Sequence, residues 1–241
     1  VLAAEGLSDG GVVRDVSFAL QAGEVLGLFG LVGAGRTETL EMMFGARPIR
    51  SGRIELSGQR FVPGSPRAAI AAGLALVPEG RKSNGILPNR SVAENIAVAR
   101  VAAASGPAMP SHGSLKRMVA DAASRLGIVM TSPQQPIRTL SGGNQQKAIL
   151  ARCLALSPKI LLLDEPTHGV DVRTKAQIYD LIRQFSTQGG SVLISSSEML
   201  ELFEVADRIL VLSGGRITGT HRGGNADPEA IMRDAFLLAG G

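Results

Sequence analysis

Short apolar runs alternate with amphipathic stretches along most of the chain, and the period of each run sorts it into strand or helix. "VVRDVSFAL" (12–20) and "EVLGLFG" (24–30) read as strands, "GRIELSG" (52–58) as a third between glycine turns, and "LALVP" (74–78) as a short buried one. From 159 onward the rhythm sharpens: "KILLLDE", a helix from about Arg173 to Phe185, "SVLISS", a helix through "EMLELFEVA", then "RILVLS" and a glycine turn into "GRITGT". Continuous apolar strands such as "ILLL" predict burial on both faces, and their alternation with helices predicts a mostly parallel sheet covered by helices. Between about Gly80 and Ser157 the pattern is mainly helical. "SVAENIAVA" opens with the capping-box spacing of Ser91 and Glu94, and "AAASGPAMPSHGS" (102–114) reads as a loose loop between helices. No repeat of 20 to 50 residues and no heptad array is visible.

A chain of 241 residues, 44% of them apolar, is long enough to bury a sizeable core. No apolar run reaches the roughly 18–20 residues that span a bilayer, and "VLAAEGLSDG" lacks a signal-peptide pattern, so a soluble, cytoplasmic chain is expected. The single cysteine, Cys153, excludes an internal disulfide and reads as a buried structural thiol in "AILARCLALS". The net charge of +4 comes from scattered arginines, and with one Tyr and no Trp there is little to stack on bases, which argues against specific nucleic-acid binding. Dispersed basic charge is equally compatible with a solvated surface, anionic lipid or an acidic partner.

Three segments carry candidate chemistry. "GLVGAGRT" fits Gly30-x-x-x-x-Gly35 followed by a basic residue and a hydroxyl, between a strand and the helix "TETLEMMFG". Such glycines let backbone N–H groups turn toward phosphate oxygens, and the helix adds the positive end of its dipole; Thr37 would then face Mg²⁺. Alone, the segment fits a ligand-free glycine turn as well, because Arg36 breaks the strict pattern. In "KILLLDEPTHGVD", Asp164 ends a buried strand within reach of a Mg²⁺ held by Thr37, and Glu165 is a candidate base; an acidic cap on the next element explains the pair equally. In "LSGGNQQKAILARCLALSP" (140–158), Ser141 and two glycines precede a long helix, a second exposed N-terminus suited to an anion or a plain capping turn.

Taken in order, "GLVGAGRT", "LSGGNQQK" and "LLLDEPTHGVD" resemble the nucleotide-binding domains of ABC transporters over nearly the whole chain. "DVSFALQAGEVLGLFGLVGAGRTE", "VPEGRKSNG", "SVAENI" and "SSSEMLELFEVADRILVL" resemble more closely the second, C-terminal ATP-binding half of tandem ATPases that energise bacterial importers for ribose, galactose, xylose and similar sugars. The resemblance implies an α/β fold: a P-loop NTPase (RecA-like) core with an N-terminal antiparallel β layer and an inserted helical subdomain. Within a single domain, 1–241, the core would be 1–79 and 158–241 and the helical subdomain 80–157. ATP and Mg²⁺ are the implied cofactors. Two such domains would meet head to tail, so the implied partners are an N-terminal ATP-binding half or second ATPase domain, transmembrane permease subunits docking near 79–100, and, indirectly, a periplasmic sugar-binding protein. The implied location is the cytoplasmic face of the inner membrane. The start at "VLAAEGL", without Met, reads as a piece of a longer tandem protein.

Carried over residue by residue, Gly30, Gly33, Ala34, Gly35, Arg36, Thr37 and Glu38 match the phosphate loop. Thr37 and Asp164 match the Mg²⁺ ligands, Glu165 the catalytic glutamate, and Asp171 the loop that meets the partner domain. Ser141, Gly142 and Gly143 match the signature that contacts the partner's γ-phosphate, with Asn144 where many members have glutamine. Three positions depart from an active site: Arg36 replaces the loop lysine, Glu79 the glutamine that senses Mg²⁺ and water, and Ser197 the histidine that holds the γ-phosphate. No aromatic residue near the start can stack on adenine. Arginine keeps the charge but has a larger, planar head; Glu79 adds negative charge near phosphate; Ser197 is too short and neutral, although Ser195–Ser197 also fits a helix cap. Each lost transition-state contact costs typically a few kcal/mol, so little turnover is expected from this chain's own loop, with an intact signature serving a partner. An ATPase component of a sugar importer and a regulatory Mg-ATP-binding module are both compatible with these residues. A chromosome-maintenance ATPase would need coiled coils that are missing. Nothing in the residues selects the sugar.

Overall fold

The computed structural model describes residues 1–104, 110–224 and 226–238. Two sheets form. The smaller is antiparallel, in the order β2-β1-β4-β5, from β1 (Leu2–Ser8), β2 (Val16–Leu20), β4 (Ser51–Leu56) and β5 (Gln59–Phe61). The larger has the order β10-β9-β3-β8-β7-β6, from β3 (Val25–Gly30), β6 (Leu74–Val77), β7 (Ile160–Asp164), β8 (Ser191–Ser196), β9 (Arg208–Ser213) and β10 (Arg216–Arg222). Strands β6, β7, β8, β3 and β9 run parallel, and β10 returns antiparallel on the edge. The parallel sheet read from the apolar runs is therefore present, as is the antiparallel layer.

The both-face burial of the central strands follows from where alternate residues go. Leu26 and Leu28 of β3, Ile160 and Leu162 of β7 and Leu193 of β8 pack toward the β layer and helix α1 (Arg36–Phe44). Val25, Phe29, Leu161, Leu163, Val192 and Ile194 point the other way. There they join one apolar cluster with α3 (Val92–Ala103), α4 (His112–Arg125), α5 (Gly142–Leu154), α6 (Val172–Thr187), α7 (Met199–Val205) and α8 (Pro228–Phe236). A short helix, α2 (Pro66–Ala71), precedes β6. The capping box of α3 forms as the spacing predicts: Ser91 Oγ accepts from the Glu94 N–H, and the Glu94 carboxylate accepts from the Ser91 N–H. Cys153 is buried, its Sγ donating to the Leu76 carbonyl, and burial pushes the thiol up to about 12.

One strand reading shortens, one strand went unread, and one loop reading is partly outside the described residues. The strand read over 12–20 begins only at Val16, because Asp9 takes the N–H groups of Gly11 and Val13 on its carboxylate and pairs with Arg47, curling the preceding residues into a loop. Strand β1 was hidden by its Ala- and Gly-rich sequence "LAAEGLS"; it is specified by pairing on both sides, with Ala4 opposite Phe18 and Ile54. Of the loop read over 102–114, residues 105–109 lie outside the described residues; α3 ends before them and α4 begins after them. Among the described residues no helix is long and apolar enough to cross a membrane.

Candidate functional site

The phosphate-type loop connects β3 to α1. Gly30 is needed where it stands, because a Cβ would lie 2.7 Å from the Leu212 carbonyl oxygen of the neighbouring strand. Gly33 and Gly35 adopt φ values of 84° and 102°, the left-handed region that suits glycine. Gly35 is the N-cap of α1 and no side chain caps that end, so the first N–H groups of the helix remain available to an anion. Ala34 is buried beneath the loop, and Glu38 in the first turn complements the helix dipole.

The next residues close on one another. Arg36 Nη1 meets Glu165 Oε1 at 2.7 Å, with the two side chains only 11% and 8% exposed. The same Glu165 oxygen accepts the Ser197 N–H at 2.7 Å. Glu165 itself sits at φ 47°, a strained position for a side-chain-bearing residue, with its N–H donating to the Ser195 carbonyl. Thr37 Oγ1 donates to Glu79 Oε2 at 3.3 Å. Asp164, on the last position of β7, pairs in register with Ser195, whose hydroxyl donates to its carboxylate. Burial pushes the Asp164 carboxyl above its usual range; hydrogen bonds from Ser195 and Thr37 oppose the rise, nearby Glu79 adds to it and Arg36 opposes it.

Seven residues singled out in the sequence thus converge: Gly35, Arg36, Thr37, Glu79, Asp164, Glu165 and Ser197. The Thr37 hydroxyl with the Asp164 and Glu79 carboxylates is a hard-oxygen set that fits Mg²⁺, and a buried carboxylate disfavoured as an anion is one a dication would stabilise. The uncapped α1 N-terminus fits a phosphate chain, and beside it Arg36 Nη1 is held by Glu165.

The signature residues form a separate cluster. Ser141 caps α5, accepting the Asn144 N–H and the Asn144 side-chain amide, and Asn144 Oδ1 accepts the Val129 N–H. Gly142 lies under the Arg81 guanidinium, and Gly143 lies so close to Thr174 that a Cβ would meet its Oγ1 at 2.5 Å. Asp171 caps α6, accepting the Thr174 N–H and hydroxyl, bonds that hold its carboxyl below the usual range. No hydrogen bond or ion pair among the described residues joins Ser141–Asn144 to residues 30–38.

Sequence reading missed Glu201, which is 4% exposed and accepts from Thr167 Oγ1, Ser196 Oγ and Lys175 Nζ, tying the loop after β7 to the end of β8. Its signal was a carboxylate on the apolar side of "EMLELFEVA". A groove of about 550 Å³ opens beside Thr37 and Glu79, lined also by Phe44, Ile70, Val98 and Arg152.

The ABC transporter family model matches residues 13–168. The chain belongs to the ABC transporter family. A putative ribose/galactose/methyl galactoside import ATP-binding protein of Agrobacterium fabrum is 45% identical over 94% of the chain and 46% of its own length. An arabinose import ATP-binding protein of Pseudomonas syringae pv. tomato is 44% identical over 96% of the chain and 46% of its own length. This ABC chain therefore spans about half the length of the curated relatives it matches. Among solved structures, an ATP-binding cassette of an ABC transporter superposes with a TM-score of 0.84 at 18% identity, covering 99% of this chain and 98% of that one. A dimeric cassette in a post-hydrolysis state with ADP and phosphate superposes at 0.80 and 17% identity, covering 92% and 98%. The fold is that of the P-loop NTPase cassettes of this family.

Proposed function

We propose that the chain is one ATP-binding half of a bacterial monosaccharide importer, and that its own phosphate loop is a degenerate site while its signature completes a working site on an apposed ATP-binding domain. The observation that carries the reading is the Arg36–Glu165 ion pair: the loop's cation and the carboxylate matched to the catalytic base hold each other. Oε1 of Glu165 is engaged by Arg36 and by the Ser197 N–H, so that oxygen is not free to an attacking water, and Nη1 of Arg36 is committed to the carboxylate rather than to a phosphate. At the signature, among the described residues, no acidic side chain is bonded to Ser141, Gly142 or Gly143; the neighbour there is the Arg81 guanidinium, against Gly142. The sugar class is supported by the names of the relatives, the tandem arrangement by the half-length match, and pairing of two cassettes by the dimeric structural neighbour.

In this reading ATP lies on the loop from Gly30 to Glu38 and Mg²⁺ on Thr37 and Asp164, the metal supplying charge neutralisation of the phosphates. The segment 80–157 is the subdomain that presents the signature, and Asp171 faces the partner domain. The groove beside Glu79 is where a permease subunit docks, placing the chain on the cytoplasmic face of the membrane; a periplasmic sugar-binding protein acts only through the permease. A second reading, a regulatory module that binds Mg-ATP and hardly hydrolyses it, is favoured for this chain alone by the same ion pair. Phosphate release at saturating Mg-ATP tests both. The chain alone is expected to match its Glu165→Gln control, and turnover is expected to appear on adding the N-terminal half and to be lost with Ser141→Arg. Turnover by the chain alone that disappears in Glu165→Gln overturns the degenerate-site reading; no turnover even with the N-terminal half favours the regulatory one.

A further inference from the structure

Arg81 occupies a position that its own surroundings do not explain. It opens a short π-helical turn, Arg81–Gly85, whose start is fixed by Gly80 at φ 78° and by three N–H groups, of Ser83, Asn84 and Gly85, converging on the Gly80 carbonyl. Such turns are rare and cluster at functional sites. This one lays the guanidinium against the N-terminus of α5. A Cβ on Gly142 would lie 2.9 Å from Nη2 and 3.2 Å from Cζ, so the guanidinium in this position rests directly on the first residue of that helix. The positive end of a helix is the wrong place for a cation unless an anion joins them. None does among the described residues: the sole hydrogen bond of the Arg81 side chain is a long one, Nη1 to the Gly169 carbonyl at 3.4 Å, and its Nε is buried without any partner. A buried donor left unmade is costly.

We propose that Arg81 is a phosphate-binding residue of the composite site. Its guanidinium and the first N–H groups of α5 together take the terminal phosphate of a nucleoside triphosphate carried by the apposed domain. The inference rests on the composite-site reading above and adds a cation to the neutral Ser-Gly-Gly turn. A planar fork of donors suits that task, because it can engage two phosphate oxygens at once.

Calorimetric titration of the protein assembled with its ATP-binding partner, using Mg-ATPγS and Mg-ADP as probes, tests this. Arg81→Gln is expected to weaken ATPγS binding about tenfold, the size of a lost charge-assisted bond. ADP affinity should stay within about twofold, and Arg81→Lys should fall between. The melting temperature of the nucleotide-free Arg81→Gln protein is expected to be unchanged or higher, since a cation leaves the wrong end of a helix. A lowered melting temperature with equal losses for both nucleotides would make Arg81 a structural strut and overturn the proposal. Unchanged ATPγS binding in Arg81→Gln, with preference for ATPγS over ADP lost in Ser141→Arg, overturns the role of Arg81 alone. If Ser141→Arg also leaves that preference intact, the composite-site reading fails as well.

Discussion

Replacing Glu165 by Gln should loosen the nucleotide-free protein and tighten its grip on ATP. The carboxylate shares one oxygen between Arg36 and the Ser197 N–H, both at 2.7 Å, in a nearly buried setting. Gln keeps the shape and an acceptor, so what is lost is the charge on that bond, worth about 1.5–3 kcal/mol. For a chain of this size each kcal/mol moves the melting temperature by about 2–4 °C, giving a fall of about 3–12 °C without nucleotide. The same energy opposes nucleotide binding in the parent to the extent that Arg36 Nη1 exchanges Glu165 for a phosphate. Its removal should raise affinity for a non-hydrolysable ATP analogue by about 10- to 100-fold. Differential scanning calorimetry with and without the analogue, plus a direct titration, reads both effects, and the analogue separates binding from trapped turnover. A melting temperature within 1 °C of the parent together with an unchanged dissociation constant would refute the claim that this ion pair holds the resting site closed.

Two further outcomes are expected. Asp164→Asn should raise the melting temperature of the nucleotide-free protein at pH 8: burial favours the protonated carboxyl, so the stabilisation it gives is complete below its ordinary 3.8 and is lost as pH rises through the higher folded value. The gain should shrink in acid and Mg²⁺-dependent nucleotide binding should vanish; a variant less stable at pH 8 contradicts the assignment. Glu201→Gln should cost about 3 kcal/mol, as one buried partner of a salt bridge is removed while Lys175 keeps Glu198. Burial works against the Glu201 anion, but hydrogen bonds from Lys175, Thr167 and Ser196 outweigh it and hold the carboxyl below its ordinary 4.5, so its stabilisation is present above that value and fades as pH falls through the lower folded one. Chemical denaturation at pH 8 and pH 4 should show the gap between parent and variant narrowing in acid, and a constant gap would count against the network.

How far the sequence could be read depended on where the information lay. Strands β7 and β8 were legible because both faces are buried and each carries an unbroken apolar run, Ile160–Leu163 and Val192–Ile194; β1 was not, because its Ala and Gly side chains carry little period of their own. The members of the site were legible one by one as departures from a pattern. That Arg36 meets Glu165 was not, since the two are 129 residues apart and their meeting depends on β3 lying next to β8, and β8 next to β7. The Ser195–Asp164 contact is likewise a matter of register, and the role of Glu201 shows only once α7 lies against the ends of β7 and β8.

The ion pair at the loop also bears on how fast a nucleotide can arrive. A lysine with no counter-charge draws a polyanion from a distance, and salt slows such capture by screening the field. Here Arg36 carries its opposite charge 2.7 Å away, so at long range the loop presents a dipole, whose field decays faster than that of a charge. Capture then depends on a short-range exchange of partners, Glu165 for phosphate. Arg36 then adds little to long-range steering, and what steering there is comes from the overall charge of +4, which already counts both members of the pair.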